Sequence, residues 1–117
     1  MLEQREIVLV PVPFTDLTVV KSRPVLILSS SEYNTNHQDI IVAAITSRMG
    51  QNAFGRIISS KDLDTGTLPR PSMVRADKIY TLDQRIVVKR FGKLCRVAFQ
   101  DVLVALDSAL GKSVNSH

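Results

Sequence analysis

Apolar residues fall in short, β-branched runs along most of this chain and change to a spacing of three and four only near its end. The first run, residues 6–10 (EIVLV), is closed by Pro11 and Pro13, which predicts a strand that stops there or continues only as a sheet edge. Residues 14–22 read as a polar connection. The runs at 24–30 (PVLILSS) and 40–45 (IIVAAI) are apolar at successive positions, the pattern of strands buried on both faces. Between them, residues 31–38 read as a loop with a short helical turn. A polar turn at 48–52 around Gly50 leads to a weaker strand at 54–59, and Asp, Gly and Pro make 61–71 a loop. Residues 72–76 and 78–82 predict one strand or two short ones, and 86–91 another. From 97 to 110, Phe99, Val102, Leu103, Leu106, Ala109 and Leu110 mark an amphipathic helix, with Gly111 where a cap glycine belongs. Residues 112–117 are expected to fray. The pattern predicts a mainly β fold with a C-terminal α-helix, a small barrel or sandwich.

At 117 residues, with 44% hydrophobic and 22% charged positions, the chain has room for a single domain spanning 1–117 and the composition of a folded one. The apolar runs are far shorter than the roughly 18–20 residues that cross a bilayer, so no membrane association is expected. The first residues lack the apolar stretch of a signal peptide, and Cys95 is the lone cysteine, which suits a reducing cytoplasm. Charge changes the picture. The net charge is +4, but eight basic residues against Asp77 and Asp83 are concentrated between Pro69 and Arg96, leaving the remainder net acidic. Such a sector suits a polyphosphate or an acidic protein, and equally a solvated face.

No metal or cofactor is expected. His37 and His117 are the only histidines, Cys95 stands alone, and no ligand spacing or Gly-rich phosphate loop occurs. The candidate chemistry lies at strand ends. Arg75 and Asp77 alternate with Val74 and Ala76, so both project from one face, where by themselves they read as a surface ion pair. Arg23 precedes Pro24, which keeps its backbone extended. Thr46 and Ser47 place two hydroxyls where the central apolar run stops. These groups meet at one cleft if the strands carrying them are neighbours.

Four blocks carry a resemblance: EIVLVPVPF at 6–14, RPVLILS at 23–29, DIIVAAITS at 39–47 and SMVRADKIYTLD at 72–83. In order and spacing they resemble the MazF/PemK toxins, over roughly residues 5–111. The resemblance implies a homodimeric SH3-like β-barrel of the CcdB/PemK/MazF type. It implies an mRNA interferase that cuts single-stranded RNA at specific sequences without a metal and is neutralised by an acidic antitoxin protein. It makes Arg23 the family's arginine before proline, Thr46 its strand-end threonine, and Arg75 and Asp77 its Arg-x-Asp. Two departures stand out: the usual Gly-Asp or Gly-Glu opening reads Arg5-Glu6, and the loop at 15–22 lacks the histidine some members use.

Metal-free RNA cleavage needs a base for the 2′-hydroxyl proton, an acid for the leaving 5′-oxygen and a cation at the phosphorus. Asp77 is the candidate base, Arg75 and Arg23 the clamp on the phosphate oxygens, and Thr46 the orienting hydroxyl. Lys21, Ser47, Arg48, Phe54 and Ser72 are expected to contact RNA, with Phe54 or Phe14 as stacking platforms. Two other readings compete: a gyrase-poisoning toxin resembling CcdB, and a non-catalytic relative that binds RNA or antitoxin.

Overall fold

The computed structural model describes residues 2–13 and 20–111. The expected tail, Phe14 and most of the expected polar connection lie outside the described residues. Seven strands form one sheet among the described residues: β1 (Glu6–Pro13), β2 (Val20–Ile27), β3 (Asp39–Thr46), β4 (Gly55–Ile58), β5 (Leu63–Gly66), β6 (Ser72–Asp83) and β7 (Lys89–Leu94). Two helices join them, α1 (Ser31–Asn36) and α2 (Arg96–Ala109). The spatial order is β4-β6-β3-β2-β1-β7-β5, every neighbour antiparallel, and the sheet curls into a half-barrel. The mainly β fold with a C-terminal helix is therefore as expected.

Both faces of the sheet are apolar, which is why the central runs do not alternate in polarity. Ile7, Leu26, Ala43, Ile45, Val74 and Ala76 pack on one face against Ala98, Phe99 and Val102 of α2. Val8, Val10, Val25, Ile27, Ile40 and Val42 fill the other, closed by Leu2, Ile86 and Val87. Residues 72–83 are one strand, broken by a bulge. The step from Ala43 to Ala44 in β3 is met by the step from Ile79 to Arg75, so residues 76–78 have no β3 partner. Three extra residues are an odd number, so β6 changes face: Val74 and Ala76 belong to the helix-side core, whereas Tyr80 and Leu82 pack on the opposite one.

The prolines fit the sheet because their missing donors point where no partner stands. Leu9 turns its carbonyl to the Val88 N–H at 2.9 Å, so Pro11 and Pro13, two and four residues on, direct their nitrogens to that same side. There β7 has already ended, since its pairing with β1 reaches only Leu9↔Lys89. β1 thus runs through both prolines as a partial edge, paired only to β2. Pro24 lies opposite Leu9, and its nitrogen faces β3, where the ladder stops one residue short, at Val25↔Ala44.

Several boundaries differ from the pattern reading. β2 begins at Val20, inside the expected connection. β5 falls in the expected loop at 61–71: it is short and polar, and its Gly66 (φ 83°) lies so near β7 that a Cβ would collide with the Phe91 carbonyl oxygen. The strand expected at 86–91 begins only at Lys89, because Asp83 caps a 3-10 turn at Gln84–Ile86 by accepting the Arg85 N–H at 2.8 Å. The turn expected within 31–38 is a helix, capped by the Ser30 hydroxyl on the Tyr33 N–H at 3.0 Å. Gly111 follows α2 at φ 80° and donates to Ser108, as a cap glycine does.

Arg5 has φ 79°, the left-handed region that favours glycine. Its backbone N–H donates to Ile27 (2.9 Å) and its carbonyl accepts from Leu94 (2.8 Å). The buried guanidinium donates to the Leu94 carbonyl at 2.7 Å and to Asp64 at 3.1 Å, tying β1 to β5 and β7. Arg5→Ala keeps the left-handed backbone and loses these bonds, so a loss of about 2–4 kcal/mol is expected. Arg5→Gly loses the same bonds but is expected to recover about 1 kcal/mol of that by relaxing the backbone. Urea titration of the three proteins should rank wild type above glycine above alanine. An alanine variant as stable as wild type would show that the guanidinium holds nothing.

Candidate active site

Strand register places the candidate residues on one face. Val25 and Ile27 belong to the core away from α2, so Arg23, two residues earlier on β2, projects from that same side. Val42 sets the same parity for Ala44 and Thr46 on β3. Ala44 pairs with Arg75 and Thr46 with Met73, and cross-strand partners share a face. Each of these strands runs from apolar at one end to polar at the other. The polar ends meet where Pro24 has stopped the β2–β3 ladder.

A groove of about 380 Å³ opens there, with Arg23, Thr46, Arg48 and Arg75 in its wall together with Lys78 and Tyr80. The Thr46 hydroxyl accepts the Arg48 N–H at 3.1 Å, turning the chain so that Arg48 follows directly at the rim. Arg75 donates from Nε and Nη2 to the two carboxylate oxygens of Asp77, each at 2.9 Å. The fork has two electrostatic effects. Its hydrogen bonds hold the Asp77 carboxyl below the ordinary aspartate range, with partial burial opposing, and they raise the proton affinity of Arg75. Asp77 is not in the groove wall itself and reaches the groove through Arg75.

The other candidates separate. Ser47 and Ser72 line a second hollow of about 320 Å³ that shares Arg23, Pro24 and Ile45 with the first. Lys21 is exposed on β2 and lines neither. Phe54 packs partly buried against the helix-side core, and Phe14 lies outside the described residues. Pattern reading missed Lys78, Tyr80, Gln51 and Asn52, which also line the groove. For the first two, the signal was the polar stretch Arg75–Lys78 inside an otherwise strand-like run, which marks the bulge. His37, the C-cap of α1, stacks on Tyr33 with ring centroids 4.0 Å apart and is not in the groove wall. Among the described residues, no cluster of His, Cys, Asp and Glu has the makings of a metal site, and no helix is long and apolar enough to cross a membrane.

The model of the PemK-like, MazF-like toxins of type II toxin–antitoxin systems matches residues 3–110. The chain belongs to that family. No curated protein matches it. Among solved structures, it is similar to an endoribonuclease in complex with its cognate antitoxin from a mycobacterial species, at 18% identity and TM-score 0.80, covering 97% of this chain and 98% of that one. It is similar to the Mycobacterium tuberculosis toxin MazF-mt6, at 24% identity and TM-score 0.76, over 93% and 99% of the two chains. A MazE-MazF complex from Deinococcus radiodurans gives 24% identity and TM-score 0.75, over 96% and 98%. At these identities the likeness is one of fold, and it extends over the whole PemK/MazF-type domain.

The fork in this PemK/MazF-family chain has a measurable pH signature. The folded-state value of Asp77 lies below the roughly 3.9 of an unfolded aspartate. The pair's contribution is therefore fully present above about pH 4–5 and is lost as pH falls through the folded-state value. For an exposed pair that contribution is about 0–1 kcal/mol, so the better readout is the titration itself. Carboxyl NMR should give Asp77 a midpoint below 3.9 that returns toward that value in Arg75→Ala. An unshifted midpoint in the wild type means that the fork does not hold in solution.

Proposed function

We propose that this toxin cuts single-stranded RNA by attack of a 2′-hydroxyl on the adjacent phosphorus, with no metal taking part. One observation carries the reading: Arg23, Arg48, Arg75 and Lys78 converge with the Thr46 hydroxyl on one groove. A cluster of cations around a hydroxyl suits a phosphodiester, and the similarity to endoribonucleases of the same fold supports it. It also favours this reading over a gyrase-poisoning relative, which needs a protein-binding face and no such convergence.

In the proposed step the 2′-oxygen bonds to phosphorus, the bond to the 5′-oxygen breaks, and the products are a 2′,3′-cyclic phosphate and a 5′-hydroxyl. Arg75 retains three N–H donors after Asp77 has taken two, enough to bind non-bridging oxygens as charge develops on them. Arg23 stands on the opposite side of the groove as the second clamp. Among the described residues that line the groove none is a carboxylate or histidine, and the proposed proton acceptor is Asp77, held beside the groove on Arg75. To act as base Asp77 must first release the fork. An arginine, Arg23 or Arg75, donates a proton to the 5′-oxygen and is reprotonated as Asp77 gives up the proton it accepted, so the site returns to its starting state.

The partner of the toxin is expected to be an acidic antitoxin segment that fills the same groove, its carboxylates standing in for phosphates. The likeness to a MazE-MazF complex supports an antitoxin as partner. We also infer a homodimer, since one small half-barrel offers little concave surface for several nucleotides. RNA and a groove-filling antitoxin peptide should compete in a fluorescence binding assay, and simultaneous binding without interference excludes occlusion.

Cleavage is expected to persist in excess EDTA and to leave the ends named above. Arg75→Ala, Arg23→Ala and Asp77→Asn are each expected to slow it about 100-fold or more, the usual cost of removing one group that stabilises developing charge. The melting temperatures of Arg75→Ala and Asp77→Asn should stay within a few degrees of wild type, because such an ion pair adds only about 0–1 kcal/mol. Mapping cut ends and melting the same proteins decides the matter. Cutting that vanishes on chelation and returns with magnesium would sink the side-chain mechanism, and near-wild-type cutting by Asp77→Asn and Arg75→Ala would remove this site.

A further inference from the structure

Beside the groove, across the wall formed by Arg23, Pro24 and Ile45, lies the second hollow. Its floor is apolar, with buried Leu68 and the half-buried ring of Phe91. Its polar lining includes the exposed Ser47 and Arg70 and the buried Ser72. The loop that carries Arg70 is fastened on both sides. The Ser60 hydroxyl accepts the Leu68 N–H at 2.8 Å and donates to the Leu68 carbonyl at 3.2 Å, and the Ser72 hydroxyl donates to the Arg70 carbonyl at 3.2 Å. Arg70 also stands between Pro69 and Pro71, so ring closure and the restriction before proline fix the backbone around it. The side chain is exposed, and no ion pair among the described residues engages its guanidinium. This is a rigid mount for an unengaged cationic fork at the lip of an apolar hollow. The Lys89 ammonium lies 5.2 Å over the Phe91 ring, so that ring already carries a polar neighbour as well as its place in the hollow.

We propose that this hollow is a nucleobase subsite: it receives the base of a nucleotide next to the scissile phosphate, and Arg70 reads that base's edge. The inference rests on the RNA-cutting reading above and assigns it a specificity determinant. With the phosphate held at Arg23, the adjoining base must leave the groove to one side or the other. The groove is ringed by cations, whereas the hollow behind Arg23 combines an aromatic ring with hydrogen-bond donors. Single-stranded RNA is read in that manner, by splayed bases that stack on a ring and are hydrogen-bonded along an edge. The guanidinium fork matches a base with two adjacent acceptors. A flanking phosphate is the other ligand Arg70 suits, and the test separates the two.

Wild type, Arg70→Ala and Arg70→Lys are incubated with an RNA pool randomised around the cut, and the cut ends are sequenced. Arg70 is exposed, so all three should melt alike. The wild type is expected to show a base preference next to the cut that falls about tenfold in both variants, the other positions keeping theirs; that lies within what one bidentate arginine–base contact supplies. Lysine keeps the charge and lacks the fork, so its failure to restore the preference points to base reading. Unchanged preferences in both variants overturn the subsite. Uniform slowing on all sequences in Arg70→Ala, rescued by Arg70→Lys, makes Arg70 a phosphate contact and also overturns it. A wild type that cuts no RNA removes the catalytic reading and the subsite with it, an outcome distinct from a cutting wild type with unaltered variants.

Discussion

Ala76, Asp77 and Lys78 have no partner in β3, and much of the molecule's organisation depends on that gap in the ladder. A sheet with apolar residues on both faces has to present two different sets of side chains from each long strand. β6 does so by changing face at the bulge, sending Val74 and Ala76 to the helix-side core and Tyr80 and Leu82 to the other. Were the pairing continuous, one end of the strand would be inverted. Either Arg75 would enter the core beneath α2, or Tyr80 and Leu82 would. The bulge lets the apolar demands of both cores be met while Arg75 faces the groove, and its middle residue is the carboxylate that holds Arg75 in place.

The second half of the site follows from an absent donor. Pro24 cannot extend the β2–β3 ladder, so pairing stops at Val25↔Ala44 and the strand ends diverge into the groove without burying an unsatisfied N–H. Along β2 and β3 the residues on this face change from Ile27 and Val42, fully buried, to Arg23 and Thr46 at the groove wall. Polar chemistry is confined to the place where both the apolar pattern and the backbone pairing end. The rim cations are consequently mounted on strands that are rigid a residue or two away, which is what a site for developing charge needs.

Much of this was legible in the residues, and the rest failed for physical reasons. Alternation placed Arg75 and Asp77 opposite Val74 and Ala76, because the pattern is local and lies on one side of the bulge. Lys78 and Tyr80 escaped because parity read straight through a bulge gives the wrong face. β5 escaped because a four-residue polar strand has no apolar period; it is held by close backbone contact at Gly66 and by Asp64 on Arg5. The start of β7 was misread because Asp83 diverts the chain into a 3-10 turn first. At position 5, the departure from the glycine opening implied by the family resemblance proved to be compensated: the backbone keeps a glycine-like φ of 79°, and the guanidinium supplies bonds that no glycine can.

On the proposed reading, the Arg75–Asp77 fork sets two requirements against each other. The bonds that aim the guanidinium also lower the proton affinity of the carboxylate, and a base with low affinity accepts a 2′-hydroxyl proton poorly. A phosphodiester in the groove changes the balance, since it is itself an anion competing for the same N–H donors. As phosphate oxygens draw Arg75 away, Asp77 loses the hydrogen bonds that depressed its affinity, and it becomes a better base at the moment a hydroxyl is beside it. Binding and base activation are then linked through one guanidinium: without substrate the carboxylate is held by Arg75, and with substrate it is released. An acidic antitoxin segment would draw on the same arginine while offering no hydroxyl to deprotonate and no phosphorus to attack. On this reading the response of one pair of side chains, two residues apart, is what differs between RNA and the inhibitor in the same groove.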